Sequence, residues 1–174
     1  MLENSTNIAI RAVGSINPYN VVQHSRAGAR QIMNHFKWIT LLTYLGALPF
    51  FLAIYVRLLN NTFLGVEGIQ WFVTYGLLIL SFMAGTLWGQ MIDQSIKVKR
   101  IAIATNAIVL AAWFAFLLAD SAITLIIITA GFVVLYLLEA FVMRHLKRPD
   151  YYLTLRLRVT GLVVAAHGIM FFQV

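Results

Sequence analysis

Glu139, Arg156, Arg158 and His167 are ionisable residues in or beside long apolar runs, and chemistry is first sought there. Glu139 lies near the end of one run, while Arg156 and Arg158 begin the next, so a carboxylate and a guanidinium can meet across a short loop. Asp93 and Gln90 close another run at the same level. Such a cluster either ties loop ends together or receives an anionic head group or substrate. His167 lies inside the last run. One isolated histidine serves as a hydrogen-bonded packing residue more often than as a ligand or proton relay, and Asn106 is a polar residue that could partner it.

No catalytic constellation emerges. The histidines are His24, His35, His145 and His167, and no two have metal-ligand spacing on one helix. Cysteine is absent, so disulfides and thiolate sites are excluded. No phosphate-binding loop, nucleophile elbow or dinucleotide fingerprint occurs. The expectation is a protein that is not an enzyme and carries no cofactor or metal. Aromatic residues offer a second kind of site. Trp71 and Trp88 have the positions of interfacial anchors, whereas Trp113, deeper in its run, could line a pocket with Trp38, Tyr44, Tyr75 and Tyr136.

The elements that must position these groups follow from composition. Of 174 residues, 61% are apolar and 11% charged, against about 45–50% and about 25% in soluble domains. With a mean hydropathy of +0.83, the bilayer is the natural solvent. A helix of roughly 20 apolar residues spans it, and five runs qualify, over about 38–58, 69–92, 101–119, 121–142 and 157–174. The long runs show no alternation of period two, which argues against strands. Asp120 alone separates the third and fourth spans, which predicts a tight helical hairpin. Pro49 should kink the first span by freeing the carbonyl of Leu45.

Charge gives the orientation. Twelve of the 13 basic residues fall on the side of the N-terminal tail and of the loops at 93–100 and 139–158, and only Arg57 falls on the other. The positive-inside rule then places the N-terminus in the cytoplasm and the C-terminus outside. The net charge of +7 therefore points to anionic lipid head groups and not to nucleic acid. Residues 1–37 form a basic tail, in which Asn17 and Pro18 could start an interfacial helix. The fold class is all-α, a polytopic bundle of five transmembrane helices over 38–174.

Small residues recur at helical spacing. Ser81, Gly85 and Gly89 share one face of the second span, Ala107, Ala111, Ala115 and Ala119 one face of the third, and Gly161, Ala165 and Gly168 recur in the fifth. Such faces let backbones approach closely and drive association where water cannot. The partner helix could belong to the same chain, to another copy or to a larger membrane complex.

The segments LGALPF (45–50), YGLLILSFMAGTLWG (75–89) and YYLTLRLRVTGLVV (151–164) resemble a bacterial membrane family, domain of unknown function 3429, related to the eukaryotic mitochondrial transmembrane protein 69. The likeness runs from Lys37 to the C-terminus. It implies five helices in the bacterial inner membrane, or in the mitochondrial inner membrane of a eukaryote. It also implies that Gly85, Trp88, Gly89, Arg156, Arg158 and Thr160 belong to family motifs, with no activity attached. Two functions are expected to compete: an accessory protein that packs through its small-residue faces, and a small-molecule or lipid-binding bundle, which could act as a transporter.

Overall fold

In a computed structural model of the chain, the described residues are 38, 40–59, 62–91, 95–145 and 150–174; for 92–94 and 146–149 no structure is given, and for 95–97, 145 and 150 only the backbone is described. The expected tail over 1–37, with its interfacial helix, and Asp93 lie outside the described residues. Five helices are long and apolar enough to cross a membrane: Thr40–Leu58, Gly68–Gly89, Val98–Leu118, Ser121–Arg144 and Tyr151–Phe171.

The first of these is broken. Helical residues end at Leu45, Gly46 and Ala47 form a turn, and α1 starts again at Leu48–Leu58 with a proline in its first turn. Pro49 lacks the N–H that would continue the ladder, as its position in the run predicts. The Phe50 N–H turns to the Ala47 carbonyl at 3.2 Å. This leaves the Gly46 carbonyl, next to the Leu45 carbonyl expected to be freed, to accept a hydrogen bond from the Tyr75 hydroxyl at 2.8 Å.

Between α1 and the next span lies a feature that the sequence pattern did not announce. Thr62–Phe63 (β1) and Val66–Glu67 (β2) pair antiparallel, with Thr62 opposite Glu67 and Phe63 opposite Val66. Leu64 (φ 54°) and Gly65 (φ 76°) make the two-residue turn. Positive φ at both central residues is the hairpin turn whose twist matches the strands. Two-residue strands are too short to show alternation, so they lie outside the all-α expectation, which the five long helices bear out. The Trp71 indole donates to the Phe63 carbonyl at 3.0 Å, fixing the hairpin to the helix that follows.

That helix is α2 (Gly68–Gly89), followed by α3 (Ser95–Leu118), α4 (Ser121–His145) and α5 (Asp150–Phe171). α5 begins well before the span expected from 157. The α3–α4 turn is as tight as expected: Asp120 Oδ1 accepts the Ile123 N–H at 2.8 Å, capping α4. Thr124 Oγ1 donates to the carbonyls of Ala115 (3.0 Å) and Asp120 (2.8 Å). One end of the bundle carries the connections through 92–94 and 146–149 and is called the basic end; the β-hairpin and the α3–α4 turn lie at the hairpin end.

Helices α1, α2, α4 and α5 close a ring, each touching the next, while α3 packs outside it on α2 and α4. The core is filled by Phe50, Phe72, Leu80, Leu87, Ile128, Phe132, Leu135 and Met170, all at most 1% exposed. Arg57 closes the ring at the hairpin end, donating through Nε (3.3 Å) and Nη2 (2.9 Å) to the Gln173 carbonyl.

The glycines that matter for this packing are Gly68, Gly76 and Gly131. A Cβ on Gly68 would lie 2.7 Å from the Ala53 carbonyl oxygen and 2.7 Å from the Arg57 nitrogen, both backbone atoms. The α1–α2 crossing leaves no room there. Gly68→Ala should therefore lower stability by about 1–3 kcal/mol, whereas Gly85→Ala, with nothing within 4 Å of the added atom, should not. Thermal unfolding of the two variants in one detergent checks this pair.

Candidate functional site

The polar group at the basic end is built by α4 and α5. Glu139 is 1% exposed, an unusual place for a carboxylate, and both of its oxygens are engaged. The Tyr152 hydroxyl donates to Oε1 at 2.7 Å and Arg156 Nε donates to Oε2 at 2.7 Å. The Arg156 side chain is 12% exposed. Gln90 lies at the end of α2, at the same end of the bundle. Helical geometry selects Arg156 over Arg158. The two are two residues apart, about 200° around the helix, so Arg156 faces α4 while Arg158 is exposed. Arg158 thus stands outside the cluster that the sequence had grouped it with. Asp93, the other member expected there, lies outside the described residues.

The second polar group is His167, in the hairpin half of the ring. Its ring is 1% exposed, and Nδ1 donates to the Val163 carbonyl at 2.8 Å, one turn back on α5. Nε2 has no partner among the described residues. Phe72, Phe50 and Phe132 surround the imidazole with centroids at 4.7, 5.5 and 5.6 Å. Nε2 is also 3.4 Å from where a Cβ on Gly76 would stand. Asn106 is exposed on α3 and is not the expected partner.

Between the two polar groups the ring is mostly apolar: Leu80, Leu87 and Leu135 are fully buried, and Thr160 on α5 is a buried polar residue among them. Glu139 and Ile128, which packs near His167, are 11 residues apart on α4, or about 16 Å. Among the described residues no polar chain connects the clusters.

The expected aromatic pocket is not assembled. Trp113 is 42% exposed and its indole packs beside Phe114 on the outside of α3, at 5.1 Å. Tyr136 is half-buried and Tyr44 is exposed. Tyr75 belongs to the α1 break instead, and the buried aromatic cluster is the phenylalanine set around His167. Trp71 and Trp88 occupy opposite ends of α2, where anchors are wanted.

The small-residue faces point outward. Ser81 and Gly89 are exposed, Gly85 is half-buried, and neither glycine has an atom within 4 Å of an added Cβ. Ala107, Ala111, Gly161, Ala165 and Gly168 are exposed too; of the residues expected to pack, only Ala115 is buried within the chain. The helices bury their large-residue faces instead, because a ring of four helices needs volume at its centre. The close-approach glycines, Gly68 and Gly76, are eight apart on one face of α2. That spacing was present in the sequence but was hidden by the four-residue repeat beside it.

An apolar groove of about 510 Å³ runs between α4 and α5 near the hairpin end, with Ala130 and Gly168 among its lining residues. A smaller cleft of about 260 Å³, lined partly by Glu67, Gln70 and Ser121, lies at that end between α2 and the α3–α4 turn. No group of three or more potential metal ligands occurs among the described residues.

The family model described as Protein of unknown function (DUF3429) matches residues 36–172, and the chain belongs to that family. No curated protein and no solved structure matches it.

Two variants test what the polar groups do for the fold. Glu139→Ala leaves the Arg156 guanidinium mostly buried and unpaired, which should cost about 3–5 kcal/mol; Tyr152→Phe removes one neutral donor and should cost about 1 kcal/mol. The His167 acceptor has no partner to lose, so His167→Leu should leave stability within about 1 kcal/mol of the parent or raise it. Thermal and denaturant unfolding in micelles rank the three.

Proposed function

We propose that this member of the DUF3429 family is an accessory membrane protein that docks, through the outward face of α2, on a second copy of itself or on a larger membrane complex. The supporting observation is the direction of Ser81, Gly85 and Gly89. They form a shallow track along a membrane-spanning helix, with open space over both glycines. Glycine lowers helix stability by roughly 0.5–1 kcal/mol relative to alanine, and these two make no close approach among the described residues. A second helix laid on the track would recover that loss as backbone-to-backbone contact.

The same reading places the protein in the bacterial inner membrane, or in the mitochondrial inner membrane of a eukaryote. The basic end then faces the cytoplasm or its equivalent. It is not an enzyme and requires no cofactor. The competing reading, a small-molecule or lipid-binding bundle, draws support from the groove between α4 and α5. A transporter is less well supported, because the described core between Glu139 and His167 is largely apolar, with Thr160 its buried hydroxyl.

Native mass spectrometry of the protein, extracted gently from its own membrane, should show self-oligomers or a second protein at fixed stoichiometry. Gly85→Leu and Gly89→Leu should reduce that assembly at least tenfold without lowering the melting temperature of the monomer, and His167→Leu should leave it intact. A monomer with no stoichiometric partner, before any substitution, would sink the docking reading.

A further inference from the structure

We propose that the terminal N–H groups of Arg156 form a phosphoryl-binding site at the basic end, suited to the phosphate of an anionic lipid head group. A guanidinium has five N–H donors and commonly meets a carboxylate with two of them in parallel. Here Tyr152 occupies Oε1 of Glu139, so Arg156 reaches only Oε2, and through Nε. The second prong of the fork is displaced, and the terminal nitrogens find no acceptor among the described residues. The Arg156 side chain is 12% exposed, so part of it opens to the surroundings of the bundle.

Depth matches a head group. Glu139 follows Ser121, the first residue of α4, by 18 residues, or about 27 Å along the helix. The hydrocarbon core is about 30 Å thick. With the hairpin end at one boundary, the pair lies just inside the other, where an arginine can direct its terminal nitrogens to the phosphate layer. Two further features favour an anion there. Both Glu139 oxygens are covered by donors, which mutes the carboxylate's repulsion. Arg144, Lys99 and Arg100 are exposed at the same end and raise the local concentration of anions. A purely structural partner for one carboxylate oxygen could equally be lysine; the planar, multi-donor arginine is the side chain that recognises phosphate as well.

The test uses the full chain in mixed micelles doped with phosphatidylglycerol or with phosphatidylcholine, and in a third arm inorganic phosphate without added lipid. Lipid retention is read by native mass spectrometry and stability by melting temperature. Phosphatidylglycerol should be retained at one per chain and raise the melting temperature, and phosphatidylcholine should be retained far less. Arg156→Lys keeps a charge for Glu139 but loses the fork, and should weaken binding roughly tenfold. Tyr152→Phe frees Oε1 to take the second prong, and should weaken binding several-fold with the charge unchanged. Arg158→Gln, on the exposed side of α5, should bind as the parent does. Stabilisation by inorganic phosphate alone, lost in Arg156→Lys, would support the site with free phosphate as the ligand; a response to phosphatidylglycerol only would identify the head group. If Arg156→Lys and Tyr152→Phe bind as tightly as the parent, or Arg158→Gln loses as much as Arg156→Lys, the attraction belongs to the basic surface in general and the proposal fails.

Discussion

Inside hydrocarbon, a backbone or side-chain polar group has no solvent to turn to, and each one left unpaired costs several kcal/mol. The features of this bundle that look irregular are answers to that constraint. The break before Pro49 would strand the Gly46 carbonyl, and the Tyr75 hydroxyl from the neighbouring helix covers it. The tight α3–α4 turn would strand the first N–H groups of α4, and Asp120 accepts one of them. Threonines on the spans turn their hydroxyls back onto their own helices, as Thr129 does to Leu125 and Thr74 to Gln70. Even Arg57, the single basic residue at the hairpin end among the described residues, donates to a backbone carbonyl, that of Gln173.

A second constraint follows once polarity is satisfied. In water, the apolar face of a helix finds the core unaided; in lipid both faces are apolar, and shape must do the sorting. Large side chains fill the centre of the α1–α2–α4–α5 ring. Three glycines are placed where helices come closest, and alanines such as Ala84, Ala112 and Ala166 are buried with them. Ser81, Gly89, Ala107, Ala111, Gly161, Ala165 and Gly168 lie on the outside. The two glycine populations therefore serve different purposes. Gly68 lets α1 and α2 cross at backbone distance, while Gly85 and Gly89 shape the surface that α2 offers to whatever lies beside it.

This division explains what could be read from the sequence. Span number follows from length and hydropathy, which are properties of the run and need no partner. The α1 break could be read from Pro49, and the Glu139 ion pair from charges facing one another across a loop. Which arginine would answer Glu139 could not be read, because Arg156 and Arg158 differ only in rotation about α5, and rotation is set by packing. The direction of the small-residue faces was hidden for the same reason: a four-residue repeat looks alike whether it faces the ring or the lipid. The hairpin at 62–67 left no periodic trace, since a ribbon two residues wide has no room for a period.

The two buried polar groups show how differently the same cost can be met. The environment of Glu139 is assembled around it: two donors from α5 cover its oxygens. His167 satisfies one nitrogen from its own helix and leaves the other facing Gly76 within a wall of phenyl rings. A neutral imidazole tolerates this, because an unmet acceptor costs far less than an unmet charge. The ring of four helices is thus held at the basic end by a directional side-chain lock, and in the hairpin half by shape together with the Arg57 contact to the Gln173 carbonyl. The lock is the more demanding of the two, since it requires α4 and α5 to keep both rotation and register. That same fixed register is what holds the outer side of Arg156 in one place, where a ligand from outside the chain could meet it.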